Sequence, residues 1–311
     1  MNRAALCIAH LVRRANGIGA FRGFIESFRR NPAGVPHELL LIYKGFSGVA
    51  QVAPYETLLE DVRHARMFVR DFGYDVRPYV KAAREQPYEY FCFLNSFSRI
   101  QVPGWLELLY RRIRTSGVGI VGASGSYQSL ASDHHAFRRA PRPELPAHVR
   151  LLLPLYRDLR YAVAIRGEFP EFPNEHVRTN AFMVPRHVMA SLRTEAFLRK
   201  WDAFRFESSR HGMTRQIRAA GLKALVVGAD GLGYAPPDWP HARTFWIGQQ
   251  ENLLVSDNRT RAYQEGDQAL REQLAFRAWR RYPDGRSRTD VPALGGGCAS
   301  ATELTETGPG A

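Results

Sequence analysis

The sequence predicts a single α/β domain built on a mostly parallel central sheet that helices flank. Short, unbroken apolar runs at residues 38–44 and 90–94 are typical of strands that are buried on both faces. Between an apolar run at residues 4–10 and the run at 38–44, residues 18–30 place apolar side chains at spacings of three and four, which predicts an amphipathic helix. A strand, a helix and a strand with short connections form a right-handed crossover, which implies parallel pairing.

The same alternation continues along the chain. We predict further strands at residues 118–121, 176–184 and 225–228, and further helices at residues 55–69, 106–113, 186–192, 212–220 and 267–280. A proline-rich stretch at residues 128–175 interrupts the alternation. Residues 283–311 are rich in Gly, Thr, Ser and Pro, so we expect a disordered tail there.

The composition bounds the class of protein. With 45% hydrophobic and 23% charged residues, 311 residues can bury a sizeable core. The apolar runs fall far short of the roughly 20 residues of a membrane span, and the first residues lack a signal-peptide pattern. We therefore expect a cytoplasmic protein. Residues 149–161 combine leucines with Arg150, Arg157 and Arg160, which leaves open a peripheral contact with an anionic membrane at its inner face.

The net charge of +13 comes almost entirely from arginine, because the chain has only four lysines. Arginine suits phosphate recognition, since its planar fork can bond bidentately, but a solvated basic surface is the favoured explanation of the charge. A nucleic-acid-binding protein would need the arginines on one face. They are scattered through nearly every segment, so we do not expect a nucleic-acid partner.

Metal-binding patterns are weak in this sequence. Cys7, Cys92 and Cys298 lie too far apart for a metal site, and we expect buried free thiols. Asp133, His134 and His135 are adjacent residues on a predicted loop, and such neighbours rarely converge on one ion. We therefore predict no metal ligands.

Polar residues follow the central predicted strand, residues 90–94, at its carboxyl end. Asn95, Ser96 and Ser98 lie there, and Arg99 comes next. In open α/β sheets, ligands bind at this edge. We therefore predict that these four residues bind a ligand.

This segment resembles the one that carries the Asp-x-Asp motif in inverting glycosyltransferases of the A-type fold. The resemblance implies a Rossmann-like domain that binds a nucleotide-sugar, with a divalent cation on its diphosphate. Here Asn95, Ser96 and Ser98 replace the motif's carboxylates, so the usual ligands of Mg²⁺ or Mn²⁺ are absent. The alternative is a divalent cation that is bound only weakly. The resemblance also assigns Asp75 to the nucleotide; capping a helix is the alternative role. It places His241 or Asp257 in a loop that closes over the donor.

The second half of the chain is similar to the acceptor half of family 2 glycosyltransferases. A strand with a polar start, residues 176–184, precedes Glu207, which occupies the family's acidic position, whereas Ser208 replaces the second carboxylate. The resemblance implies that Glu207 is the general base for the acceptor hydroxyl. A shifted alignment would give that role to Asp202. The structural alternative is that Glu207 caps a helix or pairs with a nearby arginine.

Four further residues are expected to bind the acceptor or the diphosphate: Arg178, Asn180, Arg210 and Arg215. The resemblance divides residues 1–282 into a donor half at about 1–127, an insertion at about 128–175 and an acceptor half at about 176–282. The predicted function is sugar transfer from a nucleotide-sugar to a glycan or polysaccharide acceptor, inverting and independent of metal. The alternative is a non-catalytic protein of the same fold that binds a nucleotide or glycan.

Overall fold

The computed structural model describes residues 5–133, 163–194 and 200–281, together with residues 159, 197 and 284. The strands, in chain order, are β1 (Leu6–Arg13), β2 (Glu38–Lys44), β3 (Ala65–Val69), β4 (Tyr90–Leu94), β5 (Arg99–Ile100), β6 (Val118–Gly122), β7 (Gly125–Ser126), β8 (His176–Val177), β9 (Ala181–Pro185), β10 (Lys223–Val227), β11 (Gly233–Tyr234) and β12 (Val255–Ser256). The helices are α1 (Gly17–Arg30), α2 (Val49–Glu56), α3 (Val76–Glu85), α4 (Trp105–Ile113), α5 (Arg186–Ser191), α6 (Lys200–Ser208), α7 (Met213–Ala219), α8 (Asn258–Glu265) and α9 (Gln268–Trp279). Residues 163–168 are also helical.

Eight strands form one sheet in the order β3-β2-β1-β4-β9-β6-β10-β11. Strand β1 pairs parallel to β2 and β4, and the pairs β2–β3 and β6–β10 are parallel too. Strand β9 runs antiparallel between β4 and β6, and β11 pairs antiparallel with β10. The prediction of an α/β domain with a mostly parallel sheet is therefore confirmed.

Two apolar clusters cover the two faces of the sheet. Along β1, Cys7 and Ala9 belong to one cluster, whereas Leu6 and Ile8 belong to the other. Successive side chains of a strand point to opposite faces, so a strand covered on both sides reads as an unbroken apolar run. This packing explains why apolar runs in the sequence predicted β1, β2 and β4 correctly.

One segment differs from its predicted structure. The sequence predicted a helix at residues 55–69, but α2 ends at Glu56 and residues 65–69 form β3 at the edge of the sheet. Met67 is buried, whereas Arg66 and Phe68 are exposed. This alternation has the period of a half-buried strand, and it was mistaken for helical spacing because the run is short.

Several predictions fall on residues that the structure leaves out. The tail at residues 283–311, except Asp284, lies outside the described residues, as do His134, His135 and nearly all of residues 149–161. The disordered tail and the membrane contact therefore stay predictions. Within the described residues, no helix is long and apolar enough to cross a membrane.

The direction of β9 decides which side chains meet. The carboxyl ends of β1, β2, β3, β4 and β6 lie at one edge of the sheet, because these strands run the same way. Since β9 is antiparallel, its amino end lies at that edge as well. Residues just before Ala181 are thereby placed beside residues just after Leu94.

Candidate functional site

The turn after β4 is held by hydrogen bonds of Asn95. The Asn95 backbone N–H donates to the carbonyl of Asn180 over 2.9 Å, which joins the ends of β4 and β9. The Asn95 side-chain oxygen accepts from the Phe97 N–H at 3.0 Å and from Ser98 Oγ at 3.1 Å. Ser96 is 5% exposed, and its hydroxyl has no partner within the described residues. Three of the predicted donor-binding residues therefore form one fixed turn.

Four buried side chains connect this strand end to the C-terminal segment, and we call them the polar relay. Arg178 Nη2 donates to Asp257 Oδ2 at 2.7 Å, and Arg178 Nη1 donates to Ser124 Oγ at 3.2 Å. Ser124 Oγ in turn donates to Asn180 Oδ1 at 3.0 Å. The Arg178 guanidinium also lies 4.0 Å from the centre of the Phe245 ring. Arg178, predicted to bind the acceptor or diphosphate, thus has its charge engaged by Asp257.

Asp257 is fixed from a second direction because it caps α8. Its Oδ1 accepts from the Thr260 N–H at 2.9 Å, and its own N–H donates to Thr260 Oγ1 at 2.7 Å, which forms a capping box. Burial raises the pKa of the Asp257 carboxyl, but the Arg178 charge and the Thr260 N–H outweigh burial and lower it. Asp257 is therefore an ionised partner of Arg178 at neutral pH.

Glu207, the predicted base, lies beside the strand end. It belongs to the last turn of α6, and its Oε1 accepts from the Thr179 N–H at 3.0 Å. Thr179 directly precedes Asn180, so the half-buried carboxylate reaches the edge where β4 and β9 meet. Ser208 is buried, and its carbonyl accepts from Asn174 Nδ2 at 2.7 Å.

A group of charged residues lies at the carboxyl ends of β2 and β3. The Lys44 side chain is 1% exposed; its Nζ donates to the Gly73 carbonyl and lies 3.8 Å from Asp71 Oδ1. Burial lowers the pKa of Lys44. Arg13, which ends β1, pairs with Asp71 at 3.3 Å. We call Arg13, Lys44, Asp71 and Asp75 the charged cluster.

Asp75 precedes α3 at its capping position, but its carboxylate makes no capping hydrogen bond. Burial raises the pKa of Asp75, Lys44 and Arg13 lower it, and the negative charges of Asp71 and Glu207 raise it. The net pKa is raised. The negative charge of Glu207 is therefore one of the charges that raise the pKa of Asp75.

Four other predicted site residues lie apart from this strand end. Arg99 Nε would be 2.8 Å from a Cβ at Gly23, so the guanidinium packs against α1. Arg210 Nη2 lies 3.4 Å from the Arg166 carbonyl, and Arg215 Nη2 lies 3.4 Å from Asn174 Oδ1. The fourth, Asp202, lines a cavity of about 680 Å³ together with residues of α6, α7 and the segment before them: Arg193, Thr194, Phe197, Arg205, Phe206, Ser209, His211, Gln216, Ala219 and Ala220.

Sequence reasoning did not assign several residues of the candidate site. These are Arg13, Lys44, Asp71, Ser124 and His176. His176 Nδ1 lies 2.7 Å from the Asn174 carbonyl, and burial lowers the pKa of this histidine although Glu207 opposes the shift. No strand alternation could have found these residues together, because β8 covers only residues 176–177 and residues 179–180 form a turn.

The strand end does not fit a divalent cation. Asn95 Oδ1 already accepts two hydrogen bonds, and Ser98 Oγ donates one of them. Mg²⁺ and Mn²⁺ prefer carboxylate and other oxygen ligands. In the described part of the chain, no three His, Cys, Asp or Glu side chains cluster as metal ligands would.

No protein-family model matches this chain, and no curated protein sequence matches it. Solved structures that match include a mannosyltransferase from Pyrobaculum calidifontis in complex with GDP-Man and Mn²⁺, at 11% identity and a TM-score of 0.43, over 78% of this chain and 61% of that one. Glucosyl-3-phosphoglycerate synthase from Mycobacterium tuberculosis, in complex with Mn²⁺, UDP and glucosyl-3-phosphoglycerate, matches at 15% identity and a TM-score of 0.36, over 62% and 60%. Mouse xyloside xylosyltransferase 1 matches at 12% identity and a TM-score of 0.34, over 60% and 69%.

The chain spans 61% of the length of the mannosyltransferase and 60% of the synthase. Identities and TM-scores this low do not carry an activity or a substrate over to this chain. Its function must follow from its own residues.

Proposed function

We propose that this protein transfers a sugar from a nucleotide-sugar to a hydroxyl of a glycan acceptor, with inversion and without a divalent cation at the strand end. The observation that carries the proposal is the position of Glu207. Its carboxylate accepts from the Thr179 N–H at the end of the sheet where β4 and β9 meet, and its negative charge raises the pKa of Asp75 in the charged cluster. These contacts support a base for the acceptor at the edge where the nucleotide is proposed to bind.

The proposed reaction is one displacement at the anomeric carbon. Glu207 accepts the proton of the acceptor hydroxyl. At the same time, the oxygen of that hydroxyl forms a bond to the anomeric carbon on the face opposite the diphosphate. The bond from that carbon to the diphosphate oxygen breaks, and its electron pair leaves with the nucleoside diphosphate. Because attack and departure occur on opposite faces, the configuration inverts.

The donor is expected to lie along the carboxyl edge from the charged cluster to the turn after β4. Lys44 and Arg13 carry positive charge near this edge, which attracts a diphosphate. The Asp75 carboxylate is free of a capping role and is suited to accept from ribose hydroxyls or base N–H groups. The predicted roles of Asp75 and Glu207 thus have geometric support, whereas Arg99 and Arg210 have none.

A titration tests the donor half of the proposal. Binding of UDP, GDP, dTDP and CDP is measured by calorimetry, each with Mg²⁺ or Mn²⁺ and again with EDTA. We expect one nucleotide to bind equally well in both conditions. Asp75→Asn should weaken that binding about tenfold, since a hydrogen bond to a charged group is lost. The matched control Asp61→Asn removes an exposed carboxylate that pairs with Arg29 and should leave binding unchanged.

One observation favours binding without catalysis: the strand end carries no carboxylate. The two functions are separated by supplying the sugar-nucleotide series of the nucleotide that binds, together with glycan acceptors. Product formation supports the transferase. Tight nucleotide binding without transfer to any acceptor would support a protein that only binds its ligand.

A further inference from the structure

The end of α6, which carries Glu207, is bonded from outside the helix. A helix leaves its last carbonyls without partners of its own. The carbonyl of Ser208, the last residue of α6, accepts from Asn174 Nδ2 at 2.7 Å. Glu207 Oε1 accepts from the Thr179 N–H at 3.0 Å. Because Asn174 and Thr179 flank β8, one short segment bonds the end of α6 at two points.

Asn174 is completely buried, and all of its polar groups have partners. Its backbone N–H donates to the Tyr127 carbonyl at 3.0 Å, and its carbonyl accepts from His176 Nδ1 at 2.7 Å. Its Nδ2 also lies 3.4 Å from the Gln128 carbonyl, and its Oδ1 lies 3.4 Å from Arg215 Nη2. Carbonyls only accept hydrogen bonds and an arginine only donates them, so the Asn174 amide has one orientation. That orientation directs Nδ2 to α6.

His176 provides a measure of where Glu207 lies. It belongs to β8, against which α6 packs, and its ring is buried. Burial lowers the pKa of His176, whereas the negative charge of Glu207 and the hydrogen bond to Asn174 raise it; the positive charges of Arg178 and Arg259 lower it. Glu207 is thus the strongest charged influence on this histidine. Because such an influence weakens with distance, the pKa of His176 should respond to a displacement of Glu207.

We propose that Asn174 is a positioning residue for the base, because its side chain holds the last turn of α6 so that the Glu207 carboxylate stays at the Thr179 N–H. The inference rests on the proposed function, in which Glu207 accepts the proton of the acceptor. A base acts only within hydrogen-bond reach of that proton, and a displacement of about 1 Å can cost on the order of 100-fold in rate. Without the Asn174 amide, the Ser208 carbonyl loses its partner and the segment bonds the end of α6 at one point.

Asn31 provides a matched control for a role in stability alone. It is also a buried asparagine, and it directly follows α1. Its Nδ2 donates to the Ser27 carbonyl in α1 at 3.0 Å and to the Ile100 carbonyl in β5 at 3.1 Å. Asn31 therefore joins a different helix end to a neighbouring segment by the same chemistry. Loss of either amide should destabilise the fold, but only the loss of Asn174 should displace Glu207.

The first experiment does not need the transfer reaction. The pKa of His176 is measured by NMR in the wild type, in Asn174→Ala and in Asn31→Ala, each with and without Glu207→Gln. The signal is assigned by its loss in His176→Asn, and urea unfolding checks that each protein is folded. Asn174→Ser, which keeps a small donor, replaces Asn174→Ala if the alanine variant does not fold.

We expect Glu207→Gln to lower the pKa of His176 in the wild type and in Asn31→Ala, because it removes a negative charge. In Asn174→Ala, this shift should be smaller by at least about half, since Glu207 is no longer held in place. A shift of equal size in Asn174→Ala and Asn31→Ala would overturn the inference.

The second experiment measures transfer. In Asn174→Ala, kcat should fall about 10- to 100-fold while nucleotide affinity by calorimetry stays the same. Asn31→Ala should keep its kcat despite a comparable loss of stability. An equal fall of kcat in both variants would also overturn the inference. If the pKa of His176 responds as expected but the wild type transfers no sugar, Asn174 still holds Glu207 and the proposed function fails.

Discussion

At the ends of β2 and β3, the charged cluster contains two cations, Arg13 and Lys44, that both pair with Asp71, and Asp75 makes no helix-capping bond. At the ends of β4 and β9, by contrast, Arg178 and Asp257 balance each other and the relay ends in a neutral amide. Both regions belong to one edge of one sheet. The first region offers charged side chains to a ligand, whereas the second offers a neutral amide whose orientation is fixed by hydrogen bonds.

The two regions differ in how they can hold an anion. Charged groups attract an anion over several ångströms, but solvent and salt screen the attraction. Buried hydrogen bonds act only at contact, and they fix geometry. Glu207 is connected with both regions, because it accepts from the N–H of Thr179, which precedes Asn180, and its charge raises the pKa of Asp75.

The largest effect is expected from Glu207, because it borders both regions. Glu207→Gln keeps the hydrogen bond to Thr179 through its amide oxygen but cannot accept a proton, so transfer should fall about 10²- to 10⁴-fold. Nucleotide affinity should stay the same. Steady-state rates and calorimetry measure the two quantities separately. Asp202→Asn tests the alternative base, and Glu85→Gln, an exposed carboxylate on α3, is the control. Full activity in Glu207→Gln would remove this residue from the mechanism.

The next largest effect is expected from the buried ion pair of Arg178 and Asp257. Arg178→Met leaves Asp257 buried without its counter-charge, and we expect the free energy of unfolding in urea to fall by about 3–5 kcal/mol. The double variant Arg178→Met/Asp257→Leu should recover part of that loss. Arg29→Met breaks the exposed pair with Asp61 and should cost far less. Equal losses in Arg178→Met and Arg29→Met would show that the relay does not depend on this pair.

A smaller effect comes from His10 on β1, the strand that lies between the two regions. Its ring stacks on Phe24 at 3.7 Å, neither nitrogen has a partner in the described residues, and burial lowers the pKa of His10 to about 3. The unfolded chain binds this proton near pH 6.5, so stability falls as the pH drops from about 6.5 towards 3. The loss between pH 7 and pH 5 should be about 2 kcal/mol.

Urea unfolding across this pH range checks the expectation. His10→Leu should flatten the curve, whereas the exposed control His187→Leu should not change it. A curve for His10→Leu that parallels the wild type would rule out His10 as the group responsible. The same series separates acid loss of the fold from acid loss of Glu207 activity.

The smallest effect is expected from chelation. The turn after β4 contains no carboxylate that could bind a divalent cation. EDTA should therefore leave the transfer rate largely unchanged. Rates with EDTA, Mg²⁺ and Mn²⁺ are compared at one substrate concentration. Loss of activity in EDTA with recovery in Mn²⁺ or Mg²⁺ would contradict the proposed transfer without a divalent cation.

Local patterns determined much of the fold. Unbroken apolar runs predicted β2 and β4, and a helical spacing of apolar residues predicted α1 and α9. These signals need only neighbouring residues. The spacing of apolar residues within a short segment already shows whether both faces of a strand or one face of a helix are buried. Residues 65–69 were misread since five residues fit both periods. The polar ends after β4 and before β9 were also visible in the sequence.

What only the tertiary structure decided is which polar groups meet. The antiparallel direction of β9 places Asn180 against Asn95. The apolar run of this strand does not predict that direction, because a buried strand has the same pattern whether it pairs parallel or antiparallel. Arg178 and Asp257 are 79 residues apart, and Ser124 and Asn180 are 56 apart. No local pattern records such pairs, because their contact depends on how the whole sheet is ordered. The sequence by itself therefore determined most of the long strands and predicted a candidate base, and the packing of the strands determined which polar groups lie beside that residue.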